Sequence, residues 1–104
     1  MSFTYQLTQA AENDIYEAFL WYEEQQAGLG GALLGDLERA FETIAAHPKR
    51  YPIISKDRRR FLLKAMGSRF GAYLIMYRVD ETEKTVTIVA LIHSSRNPST
   101  WESR

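Results

Sequence analysis

The sequence predicts an α+β fold with the element order β-α-α-β-β-β, in which a helical hairpin packs on a small antiparallel sheet. Two observations predict it. Apolar residues recur at intervals of three and four from about residue 8 to about residue 46, and the period changes to two from Arg50 onward. The segments between elements are short, which places consecutive helices and consecutive strands side by side and antiparallel. The 104 residues are expected to form one domain, residues 1–104.

The first half of the chain is predicted to hold one strand and two helices. The apolar residues of the strand alternate with polar ones and are Phe3, Tyr5 and Leu7. Thr8 is the predicted N-cap of a helix that runs to about Gln26. The glycine-rich segment 27–31 breaks this helix, because glycine readily adopts the positive φ of a tight turn. A second helix is predicted to reach about Ala46, and Pro48 ends it.

The second half is predicted to form the rest of the sheet. Residues 51–54 are expected to be an extended connector. Three strands follow, at about 59–65, 69–79 and 85–93. The turn segments 66–68 and 80–84 are short enough to join these strands as antiparallel hairpins.

The last two predicted strands are apolar on both faces. With strict alternation, Tyr77 faces the helices, and the opposite face carries Leu74, Met76 and Arg78 from one strand and Val89, Leu91 and His93 from the next. A helical hairpin covers only one face of a small sheet. The second face is therefore expected to be covered by the strand edges and tail, by strong coiling of the sheet, or by a partner protein.

The composition excludes several classes of protein. Without cysteine the chain has no disulfide, zinc–thiolate site or thiol nucleophile, and neither a metal nor a cofactor is predicted. No apolar run approaches the roughly 18–20 residues that span a bilayer, and the first residues lack the pattern of a signal peptide. These features predict a cytoplasmic protein that does not contact membranes.

The net charge of zero conceals a strong asymmetry. Residues 1–48 carry eight acidic side chains and one basic one, whereas residues 49–104 carry twelve basic and five acidic ones. The halves therefore have net charges of −7 and +7. The basic half is expected to meet an acidic partner or nucleic acid, unless the two halves neutralise each other across the fold.

Six segments follow, in order, the pattern of one known family. They are WYEEQQAGLG (21–30), LERAFETI (37–44), HPKRYP (47–52), RRRFLLK (58–64), IMYRVD (75–80) and LIHSSRNP (91–98). The chain resembles the RelE/ParE superfamily, the toxins of type II toxin–antitoxin systems, and the ParE branch more closely than the RelE branch. Two features depart from the family pattern. Ser94 and Ser95 precede Arg96 where Gly-Arg-Arg is usual, and residues 69–73 replace a shorter Pro-Tyr-Arg element.

The resemblance implies a toxin that inhibits DNA gyrase and is neutralised by a cognate antitoxin, and that meets DNA only indirectly through that antitoxin. Two alternatives remain open, a RelE-like ribosome-dependent mRNA endonuclease and a degenerate member without toxicity. Metal-independent RNA cleavage requires a base, an acid and cations around one phosphate. The candidates for these roles are His93, Arg78, Arg96 and Lys64. The strand end His93-Ser94-Ser95 has no adjacent tyrosine, which favours gyrase inhibition over catalysis.

The antitoxin is expected to bind as an extended acidic segment that folds on the second sheet face. The candidate contacts are Arg58, Arg59, Arg60, Arg78, Leu74, Met76, Val89, Leu91, Arg96 and Trp101. The arginine triplet could instead solvate an edge strand, since charged edges oppose aggregation. Likewise, His93 could be a hydrogen-bonded structural residue instead of a base.

Overall fold

The computed structural model describes residues 3–95, in which two helices pack on a five-stranded sheet. The elements, in chain order, are β1 (Thr4–Leu7), α1 (Gln9–Gln25), α2 (Leu29–Ala46), β2 (Ile53–Ser55), β3 (Arg58–Leu62), a 3₁₀ turn (Leu63–Met66), β4 (Tyr73–Asp80) and β5 (Thr85–His93). The strand order in the sheet is β1-β5-β4-β3-β2. The α+β architecture of a helical hairpin on a sheet is therefore confirmed.

The sheet is mixed, whereas the sequence predicted an antiparallel one. Strand β1 pairs in parallel with β5, with the register Thr4↔Thr85 through Leu7↔Ile88. The other strand pairs are antiparallel. The alternation of apolar and polar residues in β1 predicts a strand. Its partner strand β5 lies about eighty residues away, and the packing of the whole chain selects it.

The helical hairpin forms where the sequence predicted it. The hydroxyl of Thr8 accepts a hydrogen bond from the backbone N–H of Ala11 at 3.1 Å, which confirms the predicted N-cap. Gly28 has φ of 91° and starts the turn into α2. Gly30 lies at the crossing of the helices, where an added Cβ would stand 2.7 Å from the carbonyl oxygen of Phe19. Only glycine therefore allows this close approach of α1 and α2.

The strand limits differ from the predicted ones in three places. Part of the predicted connector pairs with β3 as the short edge strand β2. The predicted strand 59–65 ends at Leu62, since the next residues form the 3₁₀ turn. The predicted strand 69–79 begins only at Tyr73, whose N–H closes a turn onto the carbonyl of Phe70 at 3.0 Å. Strand β5 has the predicted limits.

A β-bulge in β5 changes which residues face the helices. Met76 pairs with Ala90 while Tyr77 pairs with Ile88, which leaves Val89 as an extra residue in the ladder. Beyond the bulge, each side chain of β5 points to the face opposite to the one that uninterrupted alternation predicts. Leu91 therefore lies in the core under the helices, and His93, two residues further along, lies on the same side of the sheet. The expectation that Leu91 and His93 share the second face is wrong.

The main core lies between the hairpin and one face of the sheet. Its largest buried side chains include Leu33, Leu37, Ile44, Ile75, Tyr77 and Ile88. Tyr77 faces the helices as predicted, and its hydroxyl donates to the carbonyl oxygen of Pro48 at 2.7 Å. Among residues 3–95, no helix is long and apolar enough to cross a membrane.

Candidate functional site

The three arginines of β3 do not form one surface. Arg58 pairs with Arg78 in the sheet, and Arg60 lies two residues further along the same face. Arg59 points to the opposite face, where its Nη1 donates to the carbonyl oxygens of Tyr51 at 2.7 Å and Lys49 at 3.3 Å. Arg59 therefore holds the connector after α2, and the expectation that it joins its neighbours on the second face is wrong.

The second sheet face has a polar end that is open to solvent. A row of paired residues crosses four strands there, and it comprises Gln6, Thr87, Arg78 and Arg58. A cleft of about 430 Å³ lies over it and is lined in part by Arg78, Asp57, Asp80 and Glu81. Arg78 is exposed, as is Arg60 on the neighbouring strand. These cations are accessible to a partner, although carboxylates also line the cleft.

The apolar end of this face is covered within the chain. Met76 is 0% and Val89 2% exposed, in a cluster with Ala90 and Ile92. The half-buried Leu74 packs against this cluster. The expected open apolar face therefore does not exist at Met76 and Val89, since both side chains are buried.

The exposed apolar surface lies on the helical hairpin instead. A groove of about 280 Å³ is lined by Leu7, Ile15, Tyr16, Phe19 and Leu34, with Glu12 at its rim. Tyr16 is 62% and Leu34 36% exposed. We call this surface the hairpin groove. The sequence held a signal for it, since Tyr16 is a large apolar residue of α1 outside the buried stripe.

The three catalytic candidates that the structure describes, His93, Arg78 and Lys64, do not converge. His93 ends β5 on the helix side of the sheet and pairs with Tyr73. Arg78 lies five residues further along β4 and on the other face, which corresponds to a separation of roughly 16 Å along the strand. Lys64 lies in the 3₁₀ turn after β3 and is exposed. Arg96 and Trp101 lie outside the described residues.

His93 borders a cleft of about 440 Å³ between α1 and the ends of β4 and β5. The cleft is lined by Glu17, Ala18, Trp21, Tyr22, Tyr73, His93 and Ser95. The backbone N–H of Ser95 donates to His93 Nδ1 at 3.2 Å, and the Ser95 hydroxyl lies 2.7 Å from the same atom. Because Nδ1 accepts, the neutral ring carries its proton on Nε2. We call this the His93 cleft.

One further contact positions these sites. Asp14 Oδ2 accepts a hydrogen bond at 3.1 Å from the backbone N–H of Leu91, just beyond the bulge, and so fixes α1 against β5. Within residues 3–95, no three histidine, aspartate or glutamate side chains lie close enough together to hold a metal ion.

Solved structures share this fold. The isolated E. coli RelE toxin matches with a TM-score of 0.65 at 12% identity, over 98% of this chain and 95% of that chain. A chain of the RelBE2 toxin–antitoxin complex from Mycobacterium tuberculosis matches with a TM-score of 0.57 at 22% identity, over 89% of this chain and 99% of that one. The chain therefore has the same fold as these two structures.

The family to which the chain belongs is shown by its sequence. Residues 5–98 match the family described as the ParE toxin of the type II toxin–antitoxin system, parDE. The chain belongs to this family of toxins. Among proteins with curated functions, no sequence matches it significantly.

Proposed function

We propose that this toxin inhibits DNA gyrase by binding and does not cleave RNA itself. The observation that carries the proposal is the separation of His93 from Arg78, which lie on opposite faces of the sheet and roughly 16 Å apart along it. Membership of the ParE family supports the same target. Gyrase acts in the cytoplasm, and the proposal therefore places the toxin there.

The geometry argues against RNA cleavage because that reaction needs its groups around one phosphate. A general base must lie within about 3.2 Å of the hydroxyl that it deprotonates, and a cation must contact the same phosphorane. Arg78 cannot reach a phosphate held at His93 without reorganisation of the sheet. Helix α1, which walls the His93 cleft, carries five carboxylates and no lysine or arginine, and so repels an RNA backbone.

The direct test is a supercoiling assay with purified gyrase, ATP and relaxed plasmid. The toxin is expected to block supercoiling and to leave cleaved DNA after protein denaturation. The His93→Ala variant is expected to inhibit as well as the parent, because the histidine has no part in binding gyrase. Unchanged supercoiling in the presence of the folded toxin would overturn the proposal.

One observation favours the alternative, a ribosome-dependent mRNA endonuclease. His93 Nε2 is not engaged by Ser95, and the ring borders an open cleft. Under this alternative, His93→Ala abolishes both growth arrest and mRNA cleavage while antitoxin binding survives. A protein that neither inhibits gyrase nor arrests growth would be a degenerate member of the family.

We also propose how a cognate antitoxin binds. Its acidic residues would pair with Arg58, Arg60 and Arg78, which share the second sheet face. Its apolar residues would bind the hairpin groove, because the exposed apolar residues lie there and Met76 and Val89 are covered. Contact with DNA would be indirect, through the antitoxin.

A further inference from the structure

The His93 cleft has walls that suit a cationic guest. Trp21 is 55% exposed and meets Tyr22 edge to face, with 4.9 Å between the ring centroids. The ring centroids of Tyr22 and Tyr73 are 6.2 Å apart. The rings of Tyr73 and His93 meet edge to face, with 5.1 Å between their centroids. This chain of four rings runs from α1 to β5 along the cleft. Aromatic rings attract cations that lie within about 6 Å of a ring face.

The charge of the cleft is complementary to such a guest. The exposed Glu17 lines the cleft together with the rings. Glu17 lies one helical turn before Trp21, and residues at that spacing are neighbours on a helix surface. No lysine or arginine among residues 3–95 lines the cleft, so the described part of its wall carries the negative charge of Glu17.

The rigidity of the walls favours specific binding over adventitious contact. Ala18 and Tyr73 are 7% exposed and form the floor of the cleft. Tyr22 also meets Phe70 of the main core edge to face at 5.0 Å. The aromatic wall is thus held by the core, which lowers the entropic cost of ordering it on binding.

We propose that the His93 cleft binds an arginine side chain presented by a partner protein. The planar guanidinium stacks on Trp21, and its N–H groups donate to the Glu17 carboxylate. Arginine fits better than lysine because its planar group stacks on an aromatic face and hydrogen-bonds in the same plane. The site is separate from the surfaces assigned above to the antitoxin, and the inference does not depend on gyrase being the target.

A stacked nucleobase is the competing occupant, since bases also bind aromatic walls. Charge argues against it. A nucleotide would bring its phosphate beside Glu17 and a helix that carries only negative charge. The cleft therefore favours a protein side chain over a nucleic acid.

The test uses the Trp101→Phe variant of the full chain, in which Trp21 is the sole tryptophan. Its fluorescence is followed during titration with the capped peptide acetyl-Gly-Arg-Gly-amide. The matched probe replaces arginine with citrulline, which has nearly the same shape without the charge. Saturable binding of the arginine peptide is expected, about fivefold or more tighter than that of the citrulline peptide.

A pair of variants identifies the site. Glu17→Gln is expected to weaken binding of the arginine peptide about fivefold. Glu38→Gln removes an exposed carboxylate of α2 that does not line the cleft and is expected to leave binding unchanged. Circular dichroism checks that both variants are folded. Equal binding of the two peptides, no binding, no effect of Glu17→Gln, or tighter binding of oligouridylate would each overturn the proposal.

Discussion

The carboxylate of Glu23, near the end of α1, accepts a hydrogen bond from the backbone N–H of Gly30 in the first turn of α2, at 2.8 Å. The N–H groups of Gly28 and Gly31 donate to the same oxygen at 3.1 and 3.3 Å. These are the donors that the start of a helix leaves without a partner inside the helix. One side chain of the first helix thus caps the second and fixes the turn between them.

We expect Glu23→Gln to destabilise the protein at neutral pH. Hydrogen bonds from the backbone, chiefly that of Gly28, hold the pKa of Glu23 below its ordinary value of 4.5. A lowered pKa in the folded state means that the carboxylate stabilises the fold above pH 4.5, and that this contribution is lost as the pH falls through the lowered pKa. The urea midpoint of the variant should therefore lie below that of the parent at pH 7, with a difference that shrinks in acid.

The control for Glu23 is the adjacent exposed Glu24. Glu24→Gln removes the same charge from the same helix without removing the cap, and is expected to leave the midpoint nearly unchanged. Equal midpoints for the two variants at pH 7 would show that the cap adds nothing to stability.

Gly30→Ala is expected to lower the free energy of unfolding by about 1–3 kcal/mol. The new Cβ would stand 2.7 Å from both the carbonyl oxygen and Cδ1 of Phe19, so the helices must move apart. Gly31 supplies a matched control, since a Cβ there has nothing within 4 Å and the residue is also helical. Gly31→Ala is expected to stabilise by roughly 0.5–1 kcal/mol in the same urea titration. A change in the free energy of unfolding that has the same sign for both variants would contradict the close contact of the helices at Gly30.

Tyr77→Phe is expected to cost about 1–3 kcal/mol of unfolding free energy, because the buried carbonyl of Pro48 loses its donor. Burial raises the pKa of Tyr77, so its hydroxyl remains protonated and donates at neutral pH. Tyr16→Phe is the control, since that side chain is 62% exposed and the change should stay within about 0.5 kcal/mol. Chemical denaturation of both variants measures the difference, and a Tyr77→Phe variant as stable as the control would show that the hydrogen bond is dispensable.

The double change Arg60→Glu with Arg78→Glu is expected to weaken binding of the cognate antitoxin about tenfold or more, or ~1.4 kcal/mol. Both arginines are exposed on the second sheet face, where an acidic segment could pair with them. Isothermal titration calorimetry with the antitoxin measures the loss.

Arg50→Glu is the matched charge reversal for this experiment, because Arg50 is exposed in the connector after α2. It should leave the affinity unchanged. Arg59→Ala should lower thermal stability and leave antitoxin affinity unchanged, since its guanidinium binds the carbonyls of Tyr51 and Lys49. An affinity insensitive to the Arg60 and Arg78 reversal would remove the basic face from the antitoxin interface.

The local elements of the fold could be predicted because their signals are local. Thr8 caps α1 through a residue three positions away, and Gly28 takes the positive φ that starts the turn. A change of apolar period from about 3.6 to 2 separates the helices from the strands. For the same reason Tyr77 could be assigned to the helix side, since alternation in β4 is uninterrupted.

The candidate site was predicted less well, because its geometry depends on contacts between distant residues. The bulge at Val89 inserts one residue into β5, and one residue is enough to exchange the two faces beyond it. Leu91 consequently moved to the core. The cap that Glu23 provides could not be predicted, since no sequence rule links a glutamate to the start of the next helix.

The sequence by itself determined the α+β class, the helical hairpin and its glycine turn, and membership of a toxin superfamily. Only the tertiary structure decided that β1 pairs in parallel with β5, that a bulge at Val89 interrupts β5, and that His93 and Arg78 consequently lie on opposite faces of the sheet. The physical reason is the range of the interactions. Caps, turns and periodicity act over a few residues, whereas strand partners, bulges and the meeting of side chains depend on how the complete chain packs.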